Sequence, residues 1–146
     1  MTTLKRRGLF LSDERKKALC EYRMQNAQES FSVAEDCYMK NHFKDSINRS
    51  YYSVFYAVKA VLSLEGIDFK RHKDVIAYFN HTYVATEIIP RSFGRKIGQL
   101  QQRREKSDYD DFYIASKEEA LEQLNNAKAI IEVIRKYLEE KGGETP

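Results

Sequence analysis

From Asn48 to Leu64 the chain reads NRSYYSVFYAVKAVLSL, a run whose polar and apolar positions repeat with the period of an α-helix. Ile47, Tyr51, Val54, Phe55, Val58, Val61 and Leu62 fall at i, i+3/i+4 intervals and predict one buried stripe. Arg49, Tyr52, Tyr56 and Lys59 form a second stripe beside it. Seven residues complete two turns to within about 20°, so Arg49 and Tyr56 are expected one above the other. A guanidinium aligned with phenols beside an apolar seam suits a phosphate or another polyanion. The same arginine could instead pair with a carboxylate on a neighbouring helix.

The helical period extends along nearly the whole chain. The first expected helix covers about 12–40, with Ser12 as N-cap, Asp13 and Glu14 in its first turn, and a stripe of Cys20, Met24, Ala27, Phe31, Ala34 and Tyr38. The second covers about 43–65 and stops at Gly66. A shorter third covers about 72–84, with Val75, Ile76, Phe79 and Tyr83 on one side. The fourth starts at Pro90, a residue suited to a first helical position, and its stripe reads Phe93, Ile97, Leu100, Arg104. Gly94 and Gly98, one turn apart, would let a neighbour approach closely. The fifth opens on a capping box, Ser116 to Glu119, and continues through Ala120, Leu124, Ala127, Ile131, Ile134 and Leu138 to Gly142 and Gly143. No segment alternates with period two long enough to make a sheet. Long helices with short connections predict an all-α, antiparallel up-and-down bundle, four long helices plus one short, in a single domain over 1–146 with its core at about 12–138.

A chain of 146 residues can bury a real core, and 42% hydrophobic with 32% charged residues fits a soluble helical protein. No apolar run approaches the roughly 20 residues of a membrane span. The basic start has only Leu9, Phe10 and Leu11 as an apolar centre, too short for a secretory signal, so the cytoplasm is the expected location. Cys20 and Cys37 lack metal or redox spacing and read as buried free thiols. The net charge of +3 is uneven: Arg91, Arg95, Lys96, Arg103, Arg104 and Lys106 surround a single Glu105, whereas the chain from Lys117 onward is acidic. Such a local basic surface permits nucleic-acid or nucleotide binding.

Several polar residues occupy positions where apolar ones belong. Arg49 flanks a core seam, Arg104 continues the stripe of the fourth helix, and His72 precedes the buried side of the third. Asp108 and Tyr109 are expected directly after the fourth helix, in RREKSDYDDFY. Convergence of these pieces would make a polar pocket in the bundle; an Arg104–Asp108 pair along one turn would need no ligand. His42, His72 and His81 have no HExxH-like spacing, so no metal is expected. Asp108, Asp110 and Asp111 lack the glycine and closing glutamate of a calcium loop. With no Gly-rich phosphate loop or nucleophile elbow either, no cofactor is expected.

In order, NRSYYSVFYAVKAVL, RHKDVIAYF, RREKSDYDDF and a capped last helix resemble the HEPN family, the higher eukaryote and prokaryote nucleotide-binding domains, in a prokaryotic stand-alone subgroup. The resemblance covers about 12–138. It implies a usually dimeric bundle of four long helices plus a short one, often encoded beside a small nucleotidyltransferase that acts as antitoxin. Many members are metal-independent ribonucleases with an arginine followed, after four to six residues, by a histidine. Arg49 matches the arginine, with Asn48 as its polar neighbour, but Tyr56 stands where the histidine would fall. Histidine can exchange a proton at neutral pH, whereas a tyrosine is only about one part in a thousand ionised there.

Three functional readings follow. The first is a noncatalytic or regulatory homodimer that binds RNA or nucleotide phosphate through Asn48, Arg49, Tyr52, Arg104, Asp108 and Tyr109 and works with a nucleotidyltransferase. The second is a toxin-type metal-independent ribonuclease in which Arg49 and Tyr56 act with His72 as a displaced base. The third is a helical interaction scaffold without ligand.

Overall fold

A computed structural model describes residues 12–143 as five helices with no strand among them. They are α1 (Asp13–Met39), α2 (Phe43–Glu65), α3 (His72–Phe79), α4 (Ser92–Tyr109) and α5 (Lys117–Gly143), with a π turn, Asn80–Val84, continuing α3. The apolar triplet Leu9–Leu11, and with it the reading of the N-terminus as too short for a signal, lies outside the described residues. No helix among the described residues is long and apolar enough to cross a membrane.

Local chemistry sets the ends of these helices. Ser12 accepts a hydrogen bond from the Arg15 amide at 3.2 Å, with Asp13 and Glu14 in the first turn of α1. Gly66 ends α2 in the left-handed region at φ 71°, where a Cβ would cost strain and would also sit 3.2 Å from the Lys16 side chain. The α5 capping box is closed in both directions: Glu119 N donates to Ser116 Oγ at 3.0 Å, and Ser116 N donates to Glu119 Oε1 at 3.1 Å.

The path of the chain follows from contacts between helices. Ser46 donates to the Ala34 carbonyl at 2.8 Å, and Arg23 donates to Ser63 Oγ at 2.8 Å, so α1 and α2 run antiparallel. Arg104 lies over Tyr51 whereas Asp108 meets Asn48, so α4 is antiparallel to α2. Asn126 donates to Gln99 and Arg103 pairs with Glu119, so α5 is antiparallel to α4. The four long helices therefore alternate up and down, with the short α3 between α2 and α4.

All seven residues of the first α2 stripe are buried, at 5% exposure or less. Around them pack Ala27, Phe31 and Ala34 of α1, Val75, Ile76 and Phe79 of α3, Ile97 and Leu100 of α4, and Leu124, Ile130, Ile131 and Ile134 of α5. α2 touches every other helix and is the axis of the bundle. This places its Arg49–Tyr52–Tyr56 flank where α2, α3 and α4 adjoin.

Three expectations need correction. α4 starts at Ser92, with Arg91 as its cap, although Phe93 N already donates to the Pro90 carbonyl at 3.0 Å. The helix reaches Tyr109, so Asp108 and Tyr109 belong to its last turn rather than to a following loop; the i, i+4 pair between Arg104 and Asp108 fits that extra turn. Of the two glycines, only Gly94 meets a neighbour, where a Cβ would lie 3.1 Å from Val84 of the π turn; Gly98 is open.

Candidate functional site

The site is built around two consecutive phenols of α2. Tyr51 points into the core at 2% exposure, and Tyr52 lies half-buried beside it, the two rings edge to face at 5.3 Å. From α4, the Arg104 guanidinium carbon sits 4.8 Å from the Tyr51 ring centre and 5.7 Å from that of Tyr52. From α2 itself, the exposed Arg49 reaches the Tyr52 ring at 5.9 Å. Two cations thus share one aromatic ring, each attracted by the electron density of its face.

Their partners differ. Arg104 Nε donates to Asp108 Oδ2 at 3.2 Å, and Asn48 Nδ2 donates to the other oxygen, Oδ1, at 3.5 Å. Arg49 has no carboxylate within 4.0 Å among the described residues. Burial works against the Arg104 charge, but the phenols of Tyr52 and Tyr51 and the bond to Asp108 outweigh it and raise its pKa.

His72 enters from the first turn of α3. Its ring stacks on Phe55 at 3.9 Å and 26°, and meets the Tyr52 ring edge-on at 5.7 Å. Its Nδ1 lies 3.4 Å from Tyr51 Oη. Burial, then the cations Arg104 and Lys59, hold the His72 pKa below its ordinary value of 6.5. Burial likewise raises the Tyr51 pKa, with Arg104 pulling the other way.

The remaining sequence candidates fall at different distances from this centre. Tyr56 continues the α2 flank, 6.3 Å from both the Tyr52 and Phe55 rings, so the expected column runs Arg49, Tyr52, Tyr56. Tyr109 is 77% exposed, turned to solvent at the end of α4. Lys59 is turned to other partners, the Phe55 ring at 5.7 Å and Asp68 at 3.4 Å, where Arg23 also pairs. The basic run of α4 is partly neutralised by Glu119 on Arg103, Glu87 on Arg91 and Asp108 on Arg104. Sequence reasoning placed Tyr51 in the core and missed its polar role; a tyrosine rather than a phenylalanine on a buried stripe was the available signal.

No group of three or more His, Cys, Asp or Glu residues that could hold a metal ion forms among the described residues. Cys20 is buried and Cys37 half-buried, both free; burial and then Glu21 push the Cys20 thiol up to about 11, which makes it inert at neutral pH. A cavity of about 600 Å³ lies elsewhere, between the start of α1 and the ends of α2 and α5, over Cys20, Met24, Leu64 and Leu138, and none of the cationic cluster lines it. The groups gathered at Tyr51–Tyr52 are of a kind that can hold an anion: one exposed guanidinium, one braced guanidinium, an amide and an imidazole beside aromatic rings.

Comparison with known proteins gives a consistent picture. A family profile described as "HEPN domain" matches residues 20–137. A protein of Thermotoga maritima named "UPF0332 protein" is 26% identical over 125 residues, covering 86% of this chain and 95% of its own. Two proteins of Methanocaldococcus jannaschii are also similar. "Putative toxin MJ0142" is 29% identical over 130 residues, covering 89% of this chain and 88% of its own. "Putative toxin MJ0605" is 30% identical over 114 residues, covering 78% and 84%.

Proposed function

This chain belongs to the HEPN domain family, and on that premise we propose that it binds a phosphate-bearing ligand, RNA or a nucleotide, with Arg49 and Arg104 as the phosphate clamp. The observation that carries this reading is the pair of guanidiniums on the Tyr52 ring with, among the described residues, only one carboxylate between them. Like charges brought together repel, and the arrangement has unspent capacity for an anion that could take hydrogen bonds from both. Arg104 is held by Asp108 and two phenols, so it offers a fixed edge; Arg49 is exposed and free to close on the ligand. Asn48 and Tyr52 complete the floor. A homodimer working with a small nucleotidyltransferase belongs to the same proposal and rests on family membership.

The test is a salt titration of binding to oligouridylate RNA. Two phosphate contacts predict a log–log slope of about −1.4 for a single strand. Binding that does not respond to salt, or is absent at low salt, refutes the reading and favours the ligand-free scaffold.

A second reading, the toxin-type ribonuclease, is favoured by the names of the Methanocaldococcus relatives and by His72 lying on the same Tyr52 ring as Arg49. A phenol is a poor base at neutral pH, so this chemistry would fall to His72. RNA cleavage in EDTA that disappears in Arg49→Ala would establish it; intact RNA after prolonged incubation supports the binding reading.

A further inference from the structure

His72 is held on three sides by α2. Phe55 fixes the plane of its ring, Tyr52 closes one edge, and Tyr51 Oη faces Nδ1 at 3.4 Å. Tyr51 is nearly inaccessible, so the partners of its hydroxyl are protein groups. Among the described residues the group in hydrogen-bond reach of it is His72 Nδ1, while Arg104, itself braced by Asp108, lies against the ring. A run of contacts therefore leads from Asp108 through Arg104 and Tyr51 to His72.

The direction of the Tyr51–His72 hydrogen bond follows from the chemistry of the groups. A guanidinium only donates, and a phenol carries one proton. Tyr51 is buried, and His72 Nδ1 is the acceptor within reach of its proton among the described residues, so Tyr51 donates to Nδ1. We propose that Tyr51 is a positioning residue that fixes neutral His72 with its ring proton on Nε2, making His72 a third hydrogen-bond donor, beside Arg49 and Arg104, for an oxygen of the bound ligand. This rests on the phosphate-binding reading. The opposite tautomer would make Tyr51 the acceptor and leave its buried proton without an acceptor among the described residues. A protonated ring would bring a further cation toward Arg104 of α4 and Lys59 of α2, the two charges that hold its pKa down.

Nε2 has no hydrogen-bond partner among the described residues, and the ring is only half-buried, so that donor is available. The assignment also bears on chemistry. An Nε2 that already holds its proton cannot take another from a ribose 2′-hydroxyl, so His72 binds the ligand and does not deprotonate it.

The experiment is a two-bond proton–nitrogen correlation spectrum of the ¹⁵N-labelled full chain at pH 7.5, with oligouridylate affinity measured on the same samples. The expected result is a His72 Nδ1 shift of the unprotonated type and an Nε2 shift of the protonated type. Tyr51→Phe, which keeps the ring, should release the tautomer into an averaged pair of shifts and weaken binding about tenfold. His72→Gln, which keeps a donor near the Nε2 position, should retain most of the affinity that His72→Phe loses. A protonated Nδ1, or an averaged pair of shifts in the wild type, overturns the proposal. So does unchanged affinity in both Tyr51→Phe and His72→Phe. Absence of RNA binding by the wild type refutes the underlying reading and the ligand role together, while the spectrum still decides the tautomer.

Discussion

Replacing Asp108 by asparagine should tighten anion binding, an unusual direction for a change inside a binding site. Asp108 takes a hydrogen bond from Arg104 Nε at 3.2 Å and one from Asn48 at 3.5 Å, so its carboxylate sits beside the clamp and partly cancels it. A phosphate on the other edge of the guanidinium would be roughly 6 Å from that carboxylate. At an effective dielectric between about 40 and 80 the repulsion is about 1 kcal/mol, or roughly a fivefold gain in affinity when it is removed. The stability change is smaller. The side chains of Arg104 and Asp108 are 17% and 32% exposed, and an i, i+4 pair in that setting is worth about 0.5 kcal/mol. Asparagine still presents an oxygen to Arg104, so the melting temperature should fall by about 2 °C or less. Fluorescence anisotropy with labelled oligouridylate at low salt, beside a thermal melt, reads both quantities. Weaker or unchanged binding in a folded Asp108→Asn protein would refute the placement of the ligand against Arg104.

Other consequences can be measured independently. Gly66→Ala places a side chain at φ 71° and against Lys16, and should cost about 1 kcal/mol in a denaturant melt; no loss would mean that the α2 terminus relaxes freely. The lowered His72 pKa gives a signed pH effect. Below the ordinary value of 6.5 the unfolded chain takes up a proton at this residue that the folded chain resists, so this contribution to stability is full above that value and is lost as pH falls through it. His72→Gln should therefore flatten the stability profile just below about pH 6.5; an unaltered slope would show that His72 is not the responsible group.

Much of the architecture could be read from the chain because its signals are local. The α2 stripe, the Ser12 and Ser116 caps and the Gly66 stop each depend on residues within a few positions, and each appears where its chemistry requires. The π turn after Phe79 had no such signal; Val75, Ile76, Phe79 and Tyr83 fit a continuous helix as well as a widened one. The end of α4 was misjudged because Asp108 and Tyr109 resemble loop residues, whereas the Arg104–Asp108 pair stabilises another turn. Spacing along α2 put Arg49, Tyr52 and Tyr56 on one flank, but the arrival of Arg104 and His72 at those phenols depends on how α3 and α4 cross α2. Long-range packing of that kind leaves no short-range trace in a single sequence. Tyr51 was hidden for a related reason: its ring belongs to the core and its hydroxyl to the polar cluster.

The central claim is that Arg49 and Arg104 together hold a phosphate over Tyr52. Arg49 is exposed and has no carboxylate partner among the described residues, so Arg49→Ala should leave the melting temperature within about 2 °C of wild type. The decisive measurement is the affinity of Arg49→Ala for oligouridylate at low salt, beside Arg95→Ala, which removes an equal exposed charge on a different helix, α4. The expected loss is about tenfold or more for Arg49→Ala and less than about threefold for Arg95→Ala. Equal losses in the two variants, or none in either, would contradict it.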